Sequence, residues 1–246
     1  MSWWSLDGKR ALVTGANTGI GQAISQALAE SGAEVICASR RSSAETVDLI
    51  TNAGGRASEL TLDLSDPMAA RDIFTGAGID ILVNNAGTIR RGTSIDFTET
   101  DWDAVMDVNA KAVFFTCQAF ARDIFARQAT GKIINIASLL SFQGGIRVPS
   151  YTTAKHGVAG ITKILANEWA AQGINVNAIA PGYIATNNTE AIRADEDRSR
   201  QILERIPAGR WGEPRDIGAT AAFLASEGAS YIHGAIFNVD GGWLAR

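Results

Sequence analysis

Short, continuously apolar runs alternate with helix-like segments along the whole chain. The strand-like runs are Ala11–Thr14, Glu34–Ser39, Ala57–Leu62, Asp80–Asn84, Lys132–Ala137, Asn175–Ile179 and Ile236–Val239. Strands without polar alternation are buried on both faces, which is typical of a parallel sheet covered by helices. The pattern therefore predicts an α/β fold: one doubly wound Rossmann domain over residues 1–246, with about seven parallel strands and helices on both faces.

Helices are predicted between these strands, at Gly19–Ser31, Ala44–Asn52, Thr100–Gln128 with a break near Asn109, and Tyr151–Gln172. Right-handed crossovers place the carboxyl ends of all strands at one edge of the sheet, where ligands bind. Glycines and polar residues follow the strands at this edge: Gly15, Ser39, Asp63, Asn85, Ser138 and Pro181. We therefore expect one ligand site along this edge.

Length and composition narrow the protein class. The chain has 246 residues, 46% of them hydrophobic, which suits one large domain. Its net charge of −4 gives no reason to expect nucleic-acid or anionic-membrane binding. No apolar run approaches the roughly 20 residues of a membrane span, and the first residues do not resemble a signal peptide.

The cysteines and histidines predict no metal site. Cys37 and Cys117 fall in a predicted strand and a predicted helix, so we expect buried free thiols and a cytoplasmic protein. His156 and His233 are far apart, and no Cys/His cluster has metal-ligand spacing.

A glycine-rich turn joins the first strand to the first helix, with the spacing Gly-x-x-x-Gly-x-Gly. Glycines permit a tight turn and close backbone approach, and the helix N-terminus favours a pyrophosphate. We expect this turn to bind a dinucleotide through Gly15, Asn17, Thr18, Gly19, Ile20 and Gly21.

The end of the second strand indicates which nicotinamide cofactor binds. An acidic residue there would hydrogen-bond the ribose 2′-hydroxyl of NAD and repel a 2′-phosphate. This chain instead has Ser39, Arg40 and Arg41, and two guanidinium groups can pair with a phosphate. The sequence favours NADP(H), leaves NAD(H) possible, and also allows both arginines to be solvated loop charges.

Three proton-donating groups converge near the fifth strand. Ser138 follows that strand, and Tyr151 and Lys155 share one helix face because they are four residues apart. A phenol has a pKa near 10, but a nearby ammonium favours the phenolate and lowers that pKa. A serine hydroxyl can hydrogen-bond a carbonyl, so the set predicts a carbonyl/alcohol redox site. Tyr-x-x-x-Lys alone also occurs by chance; the serine and the nucleotide loop argue against that explanation.

Together these motifs resemble the short-chain dehydrogenase/reductases over nearly the whole chain. The matching residues are Thr14-Gly15-x-x-x-Gly19-x-Gly21, Asn84-Asn85-Ala86-Gly87, Asn109, Ser138, Tyr151-x-x-x-Lys155 and Pro181-Gly182. The resemblance implies that Tyr151 is the acid/base, that Lys155 lowers its pKa and holds the nicotinamide ribose, and that Ser138 orients the substrate oxygen. It also implies a homotetramer.

The resemblance assigns further roles around these residues. Asn109 would break its helix and anchor a water that connects Lys155 to solvent. The remaining cofactor contacts would be Asp63 and Leu64 at the adenine, Asn85, Ala86 and Gly87 along the cleft, and Pro181, Gly182, Ile184 and Thr186 at the nicotinamide. Simpler alternatives stay open: Asn109 as a helix-break residue, Asp63 as a turn former and Ser138 as a local cap.

Four segments of the second half carry a narrower resemblance: Lys132–Val158, Ile174–Ser199, Arg205–Ile217 and Val239–Arg246. They resemble the branch named for 2-dehydro-3-deoxy-D-gluconate 5-dehydrogenase, also labelled 2-deoxy-D-gluconate 3-dehydrogenase. The resemblance implies hydride transfer between NADP(H) and a keto or hydroxy group of a deoxy-hexonate. The alternatives are a gluconate 5-dehydrogenase, a 3-oxoacyl-carrier-protein reductase and a non-catalytic nucleotide-binding regulator. The segment Leu64–Ile79 is short for the family, so we expect a truncated helix there.

A sugar-acid substrate requires cations near the strand edge. Arg147 is the favoured carboxylate contact, with a structural ion pair as its alternative, and Gln143 joins Ser138 and Tyr151 as a substrate contact. Other candidates are Arg90, Arg91, Arg193, Asn187 and Asn188. The polar insertion at residues 183–212, called here the lid segment, is interpreted as a lid or as a solvated surface excursion.

Overall fold

A seven-stranded, all-parallel sheet with strand order β3-β2-β1-β4-β5-β6-β7 forms the centre of the molecule. The computed structural model describes residues 3–246, apart from the side chain of Asn188. The strands are β1 (Arg10–Thr14), β2 (Glu34–Ser39), β3 (Arg56–Thr61), β4 (Ile81–Asn84), β5 (Gly131–Ile136), β6 (Ile174–Pro181) and β7 (Ile236–Val239). The predicted doubly wound α/β fold is confirmed.

Helices cover both faces of the sheet. They are α1 (Gly19–Glu30), α2 (Ala44–Asn52), α3 (Glu99–Met106), α4 (Ala112–Ala126), α5 (Pro149–Trp169), α6 (Glu190–Ala194), α7 (Glu196–Leu203) and α8 (Pro214–Ala225). Residues of α1, α2 and α8 form a buried apolar cluster on one face, and residues of α4 and α5 form another on the opposite face. No helix within residues 3–246 is long and apolar enough to cross a membrane.

Where the element boundaries differ from the predicted ones, they differ by one to three residues. The helix that carries Tyr151 begins at Pro149, because proline suits the first helical turn, where its missing N–H has no partner to lose. Strand β6 continues to Pro181, since the neighbouring β7 still pairs with it there. The longer strand carries its backbone to the edge of the site.

The segment between β3 and β4 contains turns but no helix. The predicted truncated helix is therefore absent. Phe74 from this segment is nevertheless fully buried and contacts Phe120 of α4 edge-to-face, with ring centroids 5.7 Å apart. The aromatic contact thus packs this segment against the helix layer, although the segment has no regular secondary structure.

The predicted break near Asn109 is a π-helical turn, Asp107–Lys111, between α3 and α4. Asn109 is fully buried; its Oδ1 accepts from the Thr88 N–H and its Nδ2 donates to the Thr88 carbonyl, both at 2.8 Å. A π-turn of this kind commonly marks a functional position. Here it ties the helix to the chain that follows β4.

The lid segment is attached at both ends. Ala185 N–H donates to the Gly212 carbonyl, and Gly212 N–H donates to the Tyr183 carbonyl. Between these ends, Ile202 and Ile206 pack with Leu139 and Trp243 in a small third apolar cluster. The segment is therefore folded against the carboxyl edge of the sheet rather than extended into solvent.

Candidate functional site

A cleft of about 1020 Å³ runs along the carboxyl edge of the sheet. It lies where the strand order reverses between β1 and β4, the position at which open α/β sheets bind ligands. The lid segment and the C-terminal turn also contribute to its walls. The single site predicted from the strand ends is thus one continuous cavity.

The glycine turn between β1 and α1 lines the cleft with all six residues expected to bind a dinucleotide: Gly15, Asn17, Thr18, Gly19, Ile20 and Gly21. Gly15 and Gly19 have φ values of +66° and +57°, a region that favours glycine. A Cβ on Gly21 would collide with the Gly15 carbonyl oxygen. The turn therefore requires glycine for its backbone shape and for its close packing.

Thr14 and Asn85 hold this turn against β4. Thr14 Oγ1 accepts hydrogen bonds from the N–H groups of Asn85 and Ala86, each at 3.0 Å. Asn85 Nδ2 donates to the carbonyls of Thr14 and Gly15, at 2.9 and 3.1 Å. Asn85, Ala86 and Gly87 line the cleft as predicted, and the Asn85 side chain braces the glycine turn.

Ser39, Arg40 and Arg41 line the cleft at the end of β2, and Asp63 and Leu64 line it after the neighbouring β3. Asp63 Oδ1 accepts from the N–H and hydroxyl of Ser65, so it forms the strand-end turn that was one interpretation of this residue. These hydrogen bonds, with the nearby charge of Arg40, lower the pKa of Asp63. Within the described chain, neither Arg40 nor Arg41 forms an ion pair through its guanidinium.

Ser138, Tyr151 and Lys155 all line the middle of the cleft. Ser138 Oγ also accepts from Leu140 N–H at 3.2 Å, so it caps the turn that follows β5. Lys155 Nζ donates to the Ile136 carbonyl at 2.5 Å and lies 5.6 Å from the centroid of the Tyr151 ring. The three groups are thus brought together as the sequence predicts.

The electrostatics of Tyr151 differ from the expectation. Burial raises its pKa above the ordinary value, and the groups that oppose this are Ser138, through a hydrogen bond, and the charge of Arg91. Lys155 is itself desolvated, and burial lowers its pKa to about 8. The expectation that Lys155 brings the Tyr151 pKa below its usual value is therefore not met in this structure.

The charge of the cleft is strongly asymmetric. Seven basic residues line it (Arg40, Arg41, Arg90, Arg91, Lys155, Arg198 and Arg205), against a single acidic residue, Asp63. The whole chain, by contrast, carries a net charge of −4. Such a concentration of positive charge in a concave surface favours anionic ligands.

A family model described as enoyl-(acyl carrier protein) reductase matches residues 15–244. The chain belongs to the short-chain dehydrogenase/reductase family. Two similar proteins are named 2-dehydro-3-deoxy-D-gluconate 5-dehydrogenase. The one from Dickeya dadantii (strain 3937) is 52% identical over 100% of this chain and 99% of its own length. The one from Bacillus subtilis (strain 168) is 56% identical over 99% and 97%.

A solved structure also matches this short-chain dehydrogenase/reductase over its full length. It is described as a 2-deoxy-D-gluconate 3-dehydrogenase from Agrobacterium tumefaciens with bound NADP. Its TM-score is 0.99 at 68% identity, with 100% of both chains covered. These matches confirm the family resemblance inferred from the motifs.

Pro181, Gly182 and Thr186 line the cleft, but three predicted site residues do not. The Ile184 side chain is buried in the apolar core, Asn109 is fully enclosed, and Arg147 is exposed outside the cleft with a φ of +63°. The predicted substrate contact of Arg147 has no support here. Arg193 donates to the Thr186 carbonyl at 3.3 Å, and the Asn188 side chain lies outside the described residues.

Sequence reasoning assigned no role to four residues of the site. Thr14 braces the turn, and Arg198, Arg205 and Trp243 line the cleft from the lid segment and the C-terminus. The Asp240-Gly241-Gly242-Trp243 pattern carried a signal, because two glycines before a tryptophan indicate a tight turn that places a large side chain. The two arginines gave no comparable signal among the many charges of the lid segment.

The chain's own residues fit a nicotinamide dinucleotide. A Cβ at Gly15 would lie 2.9 Å from Ala86 Cα, so the turn leaves room beside the N-terminus of α1 only because it is glycine. Arg40 and Arg41, which form no ion pair with any described residue, stand at the end of β2, where a 2′-phosphate would be recognised.

Proposed function

We propose that this protein is an NADP(H)-dependent oxidoreductase that interconverts a keto group and an alcohol on a deoxy-hexonate. The observation that carries the proposal is the convergence of Ser138, Tyr151 and Lys155 inside a cleft lined by basic residues. The full-length similarity to proteins named for deoxy-gluconate dehydrogenation supports it. The substrate would be a small sugar acid.

The dinucleotide would extend from the glycine turn to the β6 end of the cleft. Gly15 to Gly21 and the N-terminus of α1 would hold the pyrophosphate, and Arg40 and Arg41 would pair with the 2′-phosphate. Asp63, Leu64, Asn85 to Gly87, Pro181, Gly182 and Thr186 would line the rest. When bound, the cofactor supplies or accepts the hydride.

Residues of the protein would transfer the proton to and from the substrate oxygen. Tyr151 would donate a proton to the substrate oxygen during reduction and remove it during oxidation. The Ser138 hydroxyl would hydrogen-bond the same oxygen, Ser138 and Arg91 would favour the phenolate, and Lys155 would hold the nicotinamide ribose. Asn109 would preserve the geometry of this wall through Thr88; its water-anchoring role stays a prediction.

The raised pKa of Tyr151 predicts that the two directions of the reaction depend differently on pH. A phenol whose pKa is raised by burial is protonated at neutral pH, so it is ready to act as the acid in ketone reduction. Alcohol oxidation needs the phenolate and should become faster as the pH rises. We therefore expect the two directions to have different pH optima, with the oxidation optimum higher.

Two enzymatic alternatives remain in the same family. A gluconate 5-dehydrogenase would use the same cleft with one more hydroxyl group on its substrate, and Gln143 or Asn187 could bind it because both line the cleft. A 3-oxoacyl-carrier-protein reductase needs a basic surface for an acidic partner, and the net charge of −4 argues against one. A regulator without catalysis would not need Tyr151 and Lys155 together.

Domain organisation, cellular location and oligomeric state are part of the same proposal. We infer a single domain over residues 1–246, a cytoplasmic location, consistent with the buried free thiols of Cys37 and Cys117, and a homotetramer. They rest on the sequence and the family rather than on a contact in the chain.

A substrate panel tests the proposal. Wild-type protein is assayed with 2-deoxy-D-gluconate, 2-dehydro-3-deoxy-D-gluconate and D-gluconate, each with NADP⁺ and NAD⁺, and with an acetoacetyl thioester and NADPH. We expect the highest kcat/KM on a deoxy-hexonate with NADP⁺. Inactivity on all three acids, together with reduction of the thioester, would overturn the assignment.

A further inference from the structure

We propose that Arg205, held in place by Trp243, is the residue that recognises the substrate carboxylate. The proposal rests on the proposed function, because it assigns the acid group of that substrate to a specific place. It replaces Arg147, which lies outside the cleft. The subsite lies at the lid end of the cavity, away from the arginines at the end of β2.

The C-terminal turn fixes Trp243. Gly241 and Gly242 have φ values of +64° and +90°, and Asp240 accepts hydrogen bonds from the N–H groups of Gly242 and Leu244, at 2.8 and 2.9 Å. The Gly241 carbonyl accepts from Ala208 N–H at 2.9 Å, which ties the turn to the lid segment. Trp243 is consequently buried although it stands near the end of the chain.

Trp243 in turn orients Arg205. The Arg205 guanidinium lies over the Trp243 ring, 4.0 Å from its centroid. Stacking occupies the face of the guanidinium and leaves its N–H groups free at the edge, where a carboxylate binds in a bidentate manner. Tyr183 packs on the same indole with ring centroids 4.8 Å apart, so a second aromatic ring supports Trp243.

Arg205 and Arg198 are the two arginines of the lid segment that line the cleft, and among the described residues neither has a carboxylate partner. Arg198 donates to Gln201 Oε1 at 3.4 Å, whereas Arg205 stacks on the Trp243 indole. Other arginines of the region are paired. Arg200 pairs with Asp197 at 2.5 Å, Arg210 with Asp216 at 2.8 Å, and Arg215 with Glu213 at 2.6 Å. Within the described residues no carboxylate lies within ion-pair distance of Arg205. Its charge is therefore available to a ligand.

The position of Arg205 suits the far end of a small sugar acid. Arg205 and Trp243 line both the main cleft and an adjoining cavity of about 350 Å³. The Trp243 Nε1–H is 3.4 Å from Gln143 Oε1, on the loop that leads from Ser138 towards Tyr151. The platform thus borders the loop between the two groups that would bind the reacting oxygen.

The ratio of activity on an acid to activity on its neutral amide tests this subsite. The NADP⁺-saturated protein is assayed with 2-deoxy-D-gluconate and with 2-deoxy-D-gluconamide, as wild type and as the Arg205→Gln, Arg205→Lys, Arg91→Gln and Arg200→Gln variants. Because a charge-assisted hydrogen bond is lost, Arg205→Gln should lower kcat/KM for the acid about 10- to 100-fold. The amide rate should change less than about twofold.

The other variants distinguish a carboxylate contact at Arg205 from one at Arg91 and from a general effect of surface charge. Arg205→Lys should restore part of the preference for the acid, and Arg200→Gln, which breaks only a surface ion pair, should leave the ratio unchanged. If Arg205→Gln keeps the wild-type ratio, or if only Arg91→Gln removes it, the subsite is not Arg205. Wild-type inactivity on the acid would overturn the proposed function itself, an outcome visible before any variant is made.

Discussion

Two consecutive arginines, Arg90 and Arg91, have different surroundings. Arg90 forms an ion pair with Asp101 at 3.3 Å and donates to Thr88 Oγ1 at 3.2 Å, so its charge is used to attach α3. Arg91 has no such partner among the described residues, and its charge opposes the rise of the Tyr151 pKa. We infer that Arg91 helps to stabilise the phenolate.

Replacement of Arg91 should move the pH profile upwards. In Arg91→Gln the Tyr151 pKa should rise further, because one of the two groups that lower it is gone. The phenolate would then form only at higher pH, so the rise of kcat/KM for alcohol oxidation should shift to higher pH. Arg90→Gln, which does not act on Tyr151, is the control. An unchanged or downward shift in Arg91→Gln would contradict this role.

Cofactor choice is decided at the end of β2. Arg40→Asp should weaken NADP⁺ binding by about tenfold or more, because a carboxylate repels the 2′-phosphate that the arginine would bind. NAD⁺ binding should hold or improve. Fluorescence titration with NADPH and NADH measures both, and Arg71→Asp, an exposed charge change outside the cleft, is the control. An equal loss for both cofactors would argue against a 2′-phosphate contact.

The π-turn at Asp107–Lys111 connects α3 to α4 and places the Asn109 side chain against the chain that lines the cleft after β4. Asn109 satisfies the N–H and the carbonyl of Thr88, the residue that follows the Asn-Asn-Ala-Gly turn. A regular α-helix would place this side chain differently, since the π-turn adds one residue to a single turn.

Asn109→Ala should therefore destabilise the protein. Two partly buried backbone groups of Thr88 would lose their partners, at a cost of about 2 kcal/mol in the free energy of unfolding. Urea denaturation measures this cost. The control Asp107→Ala removes a surface ion pair with Lys111 and should cost less than about 0.5 kcal/mol. Equal stability of the two variants would mean that the Thr88 contacts contribute little.

The segment between β3 and β4 packs on the sheet through one aromatic side chain, Phe74, and without a helix. Phe74 is 1% exposed and packs on Phe120 although residues 64–80 are turns. Its burial supplies the apolar contact that a helix would otherwise provide.

At the scale of the molecule, an acidic chain encloses a basic cleft. This arrangement attracts an anionic cofactor and an anionic substrate without making the outer surface a general anion binder. Two of the arginines stand at the end of β2 and the other four near Tyr151 and the lid segment. This distribution suits a cofactor phosphate at one place in the cavity and a substrate carboxylate at another.

The homotetramer is a prediction at this scale. Multi-angle light scattering should give a mass near four times the 26.0 kDa of one chain. The exposed Trp3, Ile95 and Tyr231 side chains are apolar surface that association could cover. A mass of one chain at micromolar concentration would contradict the prediction.

Local patterns predicted the strands, the glycine turn and the grouping of Ser138, Tyr151 and Lys155, because each depends on residues close in sequence or on the common edge of a parallel sheet. Local patterns did not predict side-chain positions that depend on contacts between segments far apart in sequence. Arg205 stacks on Trp243, which the C-terminal turn brings to the site, and Ile184 packs into an apolar cluster and against Gly212. The raised pKa of Tyr151 depends on burial, which sequence spacing does not reveal.

The most direct test of the account is the Tyr151→Phe variant with 2-deoxy-D-gluconate and NADP⁺. The substitution removes one hydroxyl and keeps the ring, so NADPH binding and the melting temperature should match those of the wild type. Because proton transfer contributes 10²- to 10⁴-fold, we predict that kcat falls by at least about 100-fold. Retention of full turnover with intact cofactor binding would contradict the assignment of Tyr151 as the acid/base and, with it, the proposed reaction.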